Sequence, residues 1–162
     1  MNSLYHYCSG QHTLKIGETG AILPSAAGAK GRERPAVWLT SRPTYEPTAV
    51  KQWEDHSGIR QLTLAEQATL IGLARIVVPA NLAPLTWADW VRESGVRTSE
   101  AKWMAKRARR LGSDVGLYRA TFEPIPLEAC LGIDVSRDGV EWTRVMDIVD
   151  GELVDVETAP SS

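Results

Sequence analysis

The chain has 162 residues, 18 of them basic and 20 acidic, and a formal net charge of −2. That length supports one well-buried core and strains to build two. The near balance of charge excludes a molecule-wide field drawing the chain to nucleic acid or to an anionic membrane, so any such attraction is local. Cys8 and Cys130 are the two cysteines; far apart in sequence, they suggest neither a disulfide scaffold nor a zinc ribbon and fit a reducing compartment. No basic stretch leads into an apolar core at the start, and no run approaches the ~20 apolar residues of a membrane span. The expectation is a cytoplasmic protein with no membrane partner, folded as a single domain over 1–157 with a frayed tail at 158–162.

Leu4, His6 and Cys8 alternate with Tyr5 and Tyr7, which suits a short strand with His6 and Cys8 on one face. Thr13 to Thr19 reads as a short helix capped by Thr13 and stopped at Gly20. Ser25 to Pro35 has no periodicity and reads as an exposed, mobile loop. Ala36-Val37-Trp38-Leu39-Thr40 is a buried strand by composition. Thr44 to Arg60 reads mostly as loop, with Pro47 and a polar cluster. Thr63-Leu64-Ala65-Glu66 has capping-box spacing and opens a helix to about Leu73; Arg75 to Val78 follows as a strand ended by Pro79. Thr86 caps a helix to about Glu93, Thr98 or Ser99 opens another to Leu111, and Tyr118 to Glu123 is strand-like. Asp138-Gly139 and Asp150-Gly151 sit between segments rich in Val, Ile and Trp and predict hairpins. Irregular interleaving followed by a strand meander favours α+β over a doubly wound sheet.

No G-x-G-x-x-G follows a strand, Gly28 to Gly31 lacks the form of a phosphate loop, and the chain has neither a G-x-S-x-G elbow nor H-E-x-x-H. His6 and Cys8 project together from a strand and with His12 offer three ligands for one metal, but a fourth ligand is not evident, so no metal is expected.

Leu4-Tyr5-His6-Tyr7-Cys8, a short helix, Gly20-Ala21-Ile22-Leu23-Pro24 and then Ala36-Val37-Trp38-Leu39-Thr40-Ser41 together resemble the opening of small ADP-ribosyltransferase-like proteins of the His-Tyr-Glu kind. In those proteins a "Leu-Tyr-His" strand, a helix, a "Gly-Leu-x-Pro" turn and an aromatic strand follow in that order. The resemblance implies a split β-sheet with short helices around a cleft for NAD, which is a substrate there. It implies that His6 bonds the ribose beside nicotinamide, that Trp38 stacks on the nicotinamide ring, and that Tyr7 and Thr40 add contacts. Tyr7 stands where a small residue is usual and Trp38 where tyrosine is usual. A late glutamate completes the set: Tyr118 to Pro126 resembles the strand that carries it and makes Glu123 the candidate catalytic residue beside His6, with Glu141 as its rival. Such a carboxylate stabilises the cationic sugar that forms as nicotinamide departs.

Each residue has a plainer role available. His6 and Trp38 serve equally as packed strand residues, and Glu123 as a solvated surface group. Lys102, Lys106 and Arg109 share one side of a helix, as a solvated face or as a dock for nucleic acid or phosphate. The expected activity is transfer of ADP-ribose from NAD to a macromolecule or to water. The alternatives are a non-catalytic module of the same fold, using Trp87, Trp90, Trp103 and the basic helix to hold protein or nucleic acid, and a phosphotransferase relative drawing on the unpatterned Arg42, Arg60 and Arg75.

Overall fold

The computed structural model describes residues 2–25 and 32–156. In chain order these form β1 (Ser3–Cys8), α1 (Gly10–Thr19), β2 (Ala21–Ile22), β3 (Val37–Thr40), β4 (Gln52–Asp55), β5 (Gly58–Gln61), α2 (Leu64–Leu70), β6 (Ala74–Pro79), α3 (Trp87–Glu93), α4 (Thr98–Arg110), β7 (Tyr118–Thr121), β8 (Ile125–Pro126), β9 (Gly132–Val135), β10 (Thr143–Val149) and β11 (Glu152–Asp155). Seven strands make one sheet in the order β11-β10-β9-β6-β1-β3-β7, and every neighbouring pair in it is antiparallel. With four α-helices beside it among the described residues, the architecture is α+β.

Local chemistry sets most boundaries. Ser9, not Thr13, caps α1 by accepting from the His12 N–H; the Thr13 hydroxyl instead donates back to the Ser9 carbonyl and touches the Cys8 sulfur. Gly20 ends the helix at φ 72°, where a side chain is strained. Thr63 and Thr86 close reciprocal capping boxes with Glu66 and Asp89. Asp150 and Gly151 both take positive φ and join β10 to β11 in a two-residue turn. Asp138-Gly139 lies in a longer connection, in which the Asp138 carboxylate accepts from the N–H groups of Val140 and Glu141. The expected loop at 44–60 instead contains most of the separate β4–β5 hairpin. Most of the expected 25–35 loop, and the tail at 158–162, lie outside the described residues.

The sheet has an apolar layer on each face. On one, Leu4, Cys8, Val37, Leu39, Ile76, Val78 and Ile133 pack with Ile16 of α1 and with Ile22, Ile125 and Leu127. On the other, Ala36, Trp38 and Ala120 meet Trp87 and Trp90 of α3 and Met104 of α4. In α4 the residues at positions 101, 104, 105 and 108 form an apolar stripe at helical spacing, with Ala101 and Ala108 fully buried. β1 pairs with β6 along its whole length but with β3 at only one position, Tyr5 with Thr40. The sheet therefore has a weak seam between β1 and β3.

Candidate functional site

At this seam lies a cavity of about 330 Å³. Its wall takes consecutive residues from both parting strands, Tyr5 to Tyr7 and Trp38 to Thr40, as expected where paired backbones separate. Trp87, Trp103 and Tyr118 add aromatic surface, and Glu46, Lys51 and Arg107 bring charge.

His6 bridges the seam. Its Nδ1 lies 2.9 Å from the Trp38 carbonyl oxygen. A carbonyl only accepts, so Nδ1 carries the proton and Nε2 is left as the ring's lone-pair acceptor. Burial drives the imidazole pKa down to about 4, with smaller downward pushes from His12 and Lys51 and an opposing one from the Trp38 bond. The ring is neutral at physiological pH. Because Tyr5 faces Thr40, the register sets His6 opposite Leu39, on the face away from the Trp38 side chain. The two residues expected to form one wall thus come from opposite faces; they share the cavity because the strands have parted.

Trp38 belongs to an aromatic cluster, with ring centroids 4.7 Å from Trp90, 5.9 Å from Trp87 and 6.1 Å from Tyr118. Trp90 is almost wholly buried and serves as core. Tyr7 is buried and donates its hydroxyl to the Arg42 carbonyl at 2.6 Å; burial pushes its phenol pKa up. Thr40 is buried and donates to a Glu46 carboxylate oxygen at 3.3 Å.

Glu46 is the residue that sequence reasoning missed. It is 5% exposed. One oxygen meets Thr40; the other accepts from the Thr48 N–H at 3.2 Å, the Thr48 hydroxyl at 2.9 Å and the Tyr118 hydroxyl at 3.2 Å. Each of these groups can donate to Glu46, and the Thr48 and Tyr118 hydroxyls also lie 2.8 Å from each other, so one of the two donates to the other. The one available signal was weak: Glu46 caps a single 3-10 turn, Pro47–Ala49, with proline in its first position.

The loop that delivers Glu46 is held down carbonyl by carbonyl. Tyr7 bonds the carbonyl of Arg42, Arg75 that of Pro43, and the Trp142 indole that of Thr44 at 2.6 Å. Arg75 is itself fixed, with its guanidinium 4.7 Å from the Tyr5 ring centroid and 4.5 Å from that of Trp142. It is also paired to the buried Asp134 carboxylate at 2.7 Å. Arg144 binds the other Asp134 oxygen.

Glu123 is corrected by this geometry. It lies beyond the end of β7, its side chain is 79% exposed, and its carboxylate is 3.7 Å from Arg34; it is not part of the cavity wall. Glu141 is exposed in the β9–β10 connection and is also outside the wall. Lys102, Lys106 and Arg109 are exposed on the outer side of α4, whereas Trp103 and Arg107 of the same helix line the cavity. Arg42, Arg60 and Arg75 do not line it: Arg42 donates to the Gly112 carbonyl, Arg60 pairs with Glu66, and Arg75 holds the loop. The ring centroids of His6 and His12 are 5.8 Å apart and Cys8 meets Thr13. Among the described residues no group of three His, Cys, Asp or Glu is placed to hold a metal ion.

Compared with protein-family models, with curated proteins and with solved structures, the chain shows no match.

Proposed function

We infer that the seam cavity takes the nicotinamide half of NAD and that the chain is an ADP-ribosyltransferase-like enzyme. The carrying observation is the buried Glu46 carboxylate sharing one aromatic-walled cavity with the neutral His6 imidazole. A cavity of about 330 Å³ is at the small end of the ~300–1,000 Å³ usual for ligand sites. That suits nicotinamide and its ribose, with the remainder of the dinucleotide lying across the mouth. A sheet parted between β1 and β3 agrees with the split sheet that the sequence resemblance implies.

Each residue then has a distinct task. The rings of Trp38, Trp87 and Tyr118 offer faces and edges to the nicotinamide. His6 Nε2 accepts from a ribose hydroxyl. Lys51 and Arg107 meet the phosphates. The bond from C1′ of the ribose to the nicotinamide nitrogen breaks, and its electron pair leaves with neutral nicotinamide. Positive charge grows on the sugar, where the fixed Glu46 carboxylate stabilises it. An acceptor hydroxyl or amine, or water, forms the new bond to C1′ and releases its proton to solvent.

The test is nicotinamide release from NAD. The wild-type protein is expected to release it, and Glu46→Gln, which keeps shape but removes charge, to do so about a hundredfold more slowly. Glu123→Gln should match wild type. Loss of rate in Glu123→Gln alone would return the catalytic role to the late strand. If NAD binds but no nicotinamide is released, the chain is a binding module of this architecture, not an enzyme.

A further inference from the structure

Helix α4 carries five of the chain's 18 basic residues, Lys102, Lys106, Arg107, Arg109 and Arg110, and of these the described residues pair none with a carboxylate. In a chain with a net charge of −2, that concentration is local. Trp103 lies within it at 61% exposure, whereas Trp90 of the neighbouring helix is 1% exposed. Helical spacing puts Lys106 and Arg107 one turn beyond Trp103, and the Arg107 guanidinium is 5.9 Å from its ring centroid. Core packing does not account for the indole, because the apolar stripe of α4 runs through Ala101, Met104 and Ala108. Trp103 and Arg107 also form part of the cavity wall.

We propose that this face of α4 docks single-stranded nucleic acid. A base stacks on Trp103 while Lys102, Lys106 and Arg109 neutralise the flanking phosphates. An exposed aromatic plane among cations that no described carboxylate pairs fits alternating base and phosphate. An acidic peptide would satisfy the charge and leave the plane unused. Docking stands by itself; its corollary, that the docked strand supplies the acceptor at the cavity mouth, rests on the NAD reading above.

The probe is a fluorescently labelled single-stranded oligonucleotide, with an abasic oligonucleotide of equal length and a duplex as comparisons. Binding is expected to be tightest for the base-bearing single strand. Trp103→Ala should weaken it about tenfold or more, while Trp103→Phe, which keeps a ring, should restore most of the affinity. Changing Lys102, Lys106 and Arg109 together to Gln should flatten the slope of log affinity against log salt by about 2. Thermal melts confirm that each variant folds. Equal affinity for the abasic strand or the duplex overturns the proposal, as does an unchanged affinity in Trp103→Ala. NAD titration without oligonucleotide separates the two readings: NAD binding without strand binding sinks the docking proposal alone, and strand binding without NAD binding sinks the cavity reading alone.

Discussion

His6 is the residue whose environment makes the sharpest claim. Its folded pKa of about 4 lies below the ordinary 6.5, so the native state resists a proton that the unfolded chain accepts. The resulting stability is complete above pH 6.5, falls as pH drops towards 4, and levels off below. The gap corresponds to about 3 kcal/mol at 1.36 kcal/mol per pH unit. Urea denaturation of wild type and His6→Gln across pH 3.5 to 8 should show the wild type losing that much relative to the variant within this window. A constant difference would mean that the half-buried imidazole does not resist protonation in the folded chain. His6 was legible in the sequence because alternation puts it in a strand beside aromatic neighbours. Glu46 was not, since a single glutamate before Pro47 in a stretch without periodicity carries no sign of burial; what buries it is contact with Thr40, Thr48 and Tyr118, the last of them 72 residues away. Glu123 attracted attention for the opposite reason: it follows a real strand, β7, but its position past the strand end turns it to solvent.

Among the elements, the loop between β3 and the 3-10 turn decides the site, and its hold comes from distant chain. Tyr7 on β1, Arg75 on β6 and Trp142 before β10 each bond one of its carbonyls. Trp142→Phe removes the indole donor and keeps a ring against Arg75. A single hydrogen bond contributes about 1 kcal/mol to stability, so the melting midpoint should shift little. Nicotinamide release should fall several-fold as Glu46 loses its fixed position, an effect read by comparing rate with denaturation midpoint in one variant. An equal loss of both would make Trp142 a general stabiliser. Helices α2 and α3 were readable from their capping boxes and the long strands from composition, because those signals are local; α1 is capped by Ser9 instead of Thr13, and α4 begins after Arg97 without a side-chain cap at Thr98 or Ser99. The hairpin β4–β5 was not, since Gln52–Asp55 and Gly58–Gln61 have an exposed or half-exposed pattern without the buried alternation that marks a strand.

Across the whole molecule, the sheet is continuous in order and uneven in pairing. β1 is fastened to β6 at six positions and to β3 at one, and the cavity lies at the loosely fastened side. On the fastened side, Asp134 is 4% exposed and held between Arg75 and Arg144. Gly132 belongs to that arrangement: a Cβ there would collide with the Arg144 guanidinium and lie 2.7 Å from the Met146 carbonyl oxygen. Sequence reading reached the α+β class and the pairing of the last two strands, whose Asp150-Gly151 turn is a local signal. Strand order and the seam depend on contacts between distant segments and carry no local pattern. Among the described residues no helix is long and apolar enough to cross a membrane. Whether the seam cavity holds NAD is decided by calorimetric titration of NAD into wild type and Glu46→Gln. One NAD should bind per chain with similar affinity in both, because the carboxylate acts mainly on the charge that develops during reaction. Absence of binding heat at millimolar NAD, together with absence of nicotinamide release, would rule out NAD as the ligand of the cavity.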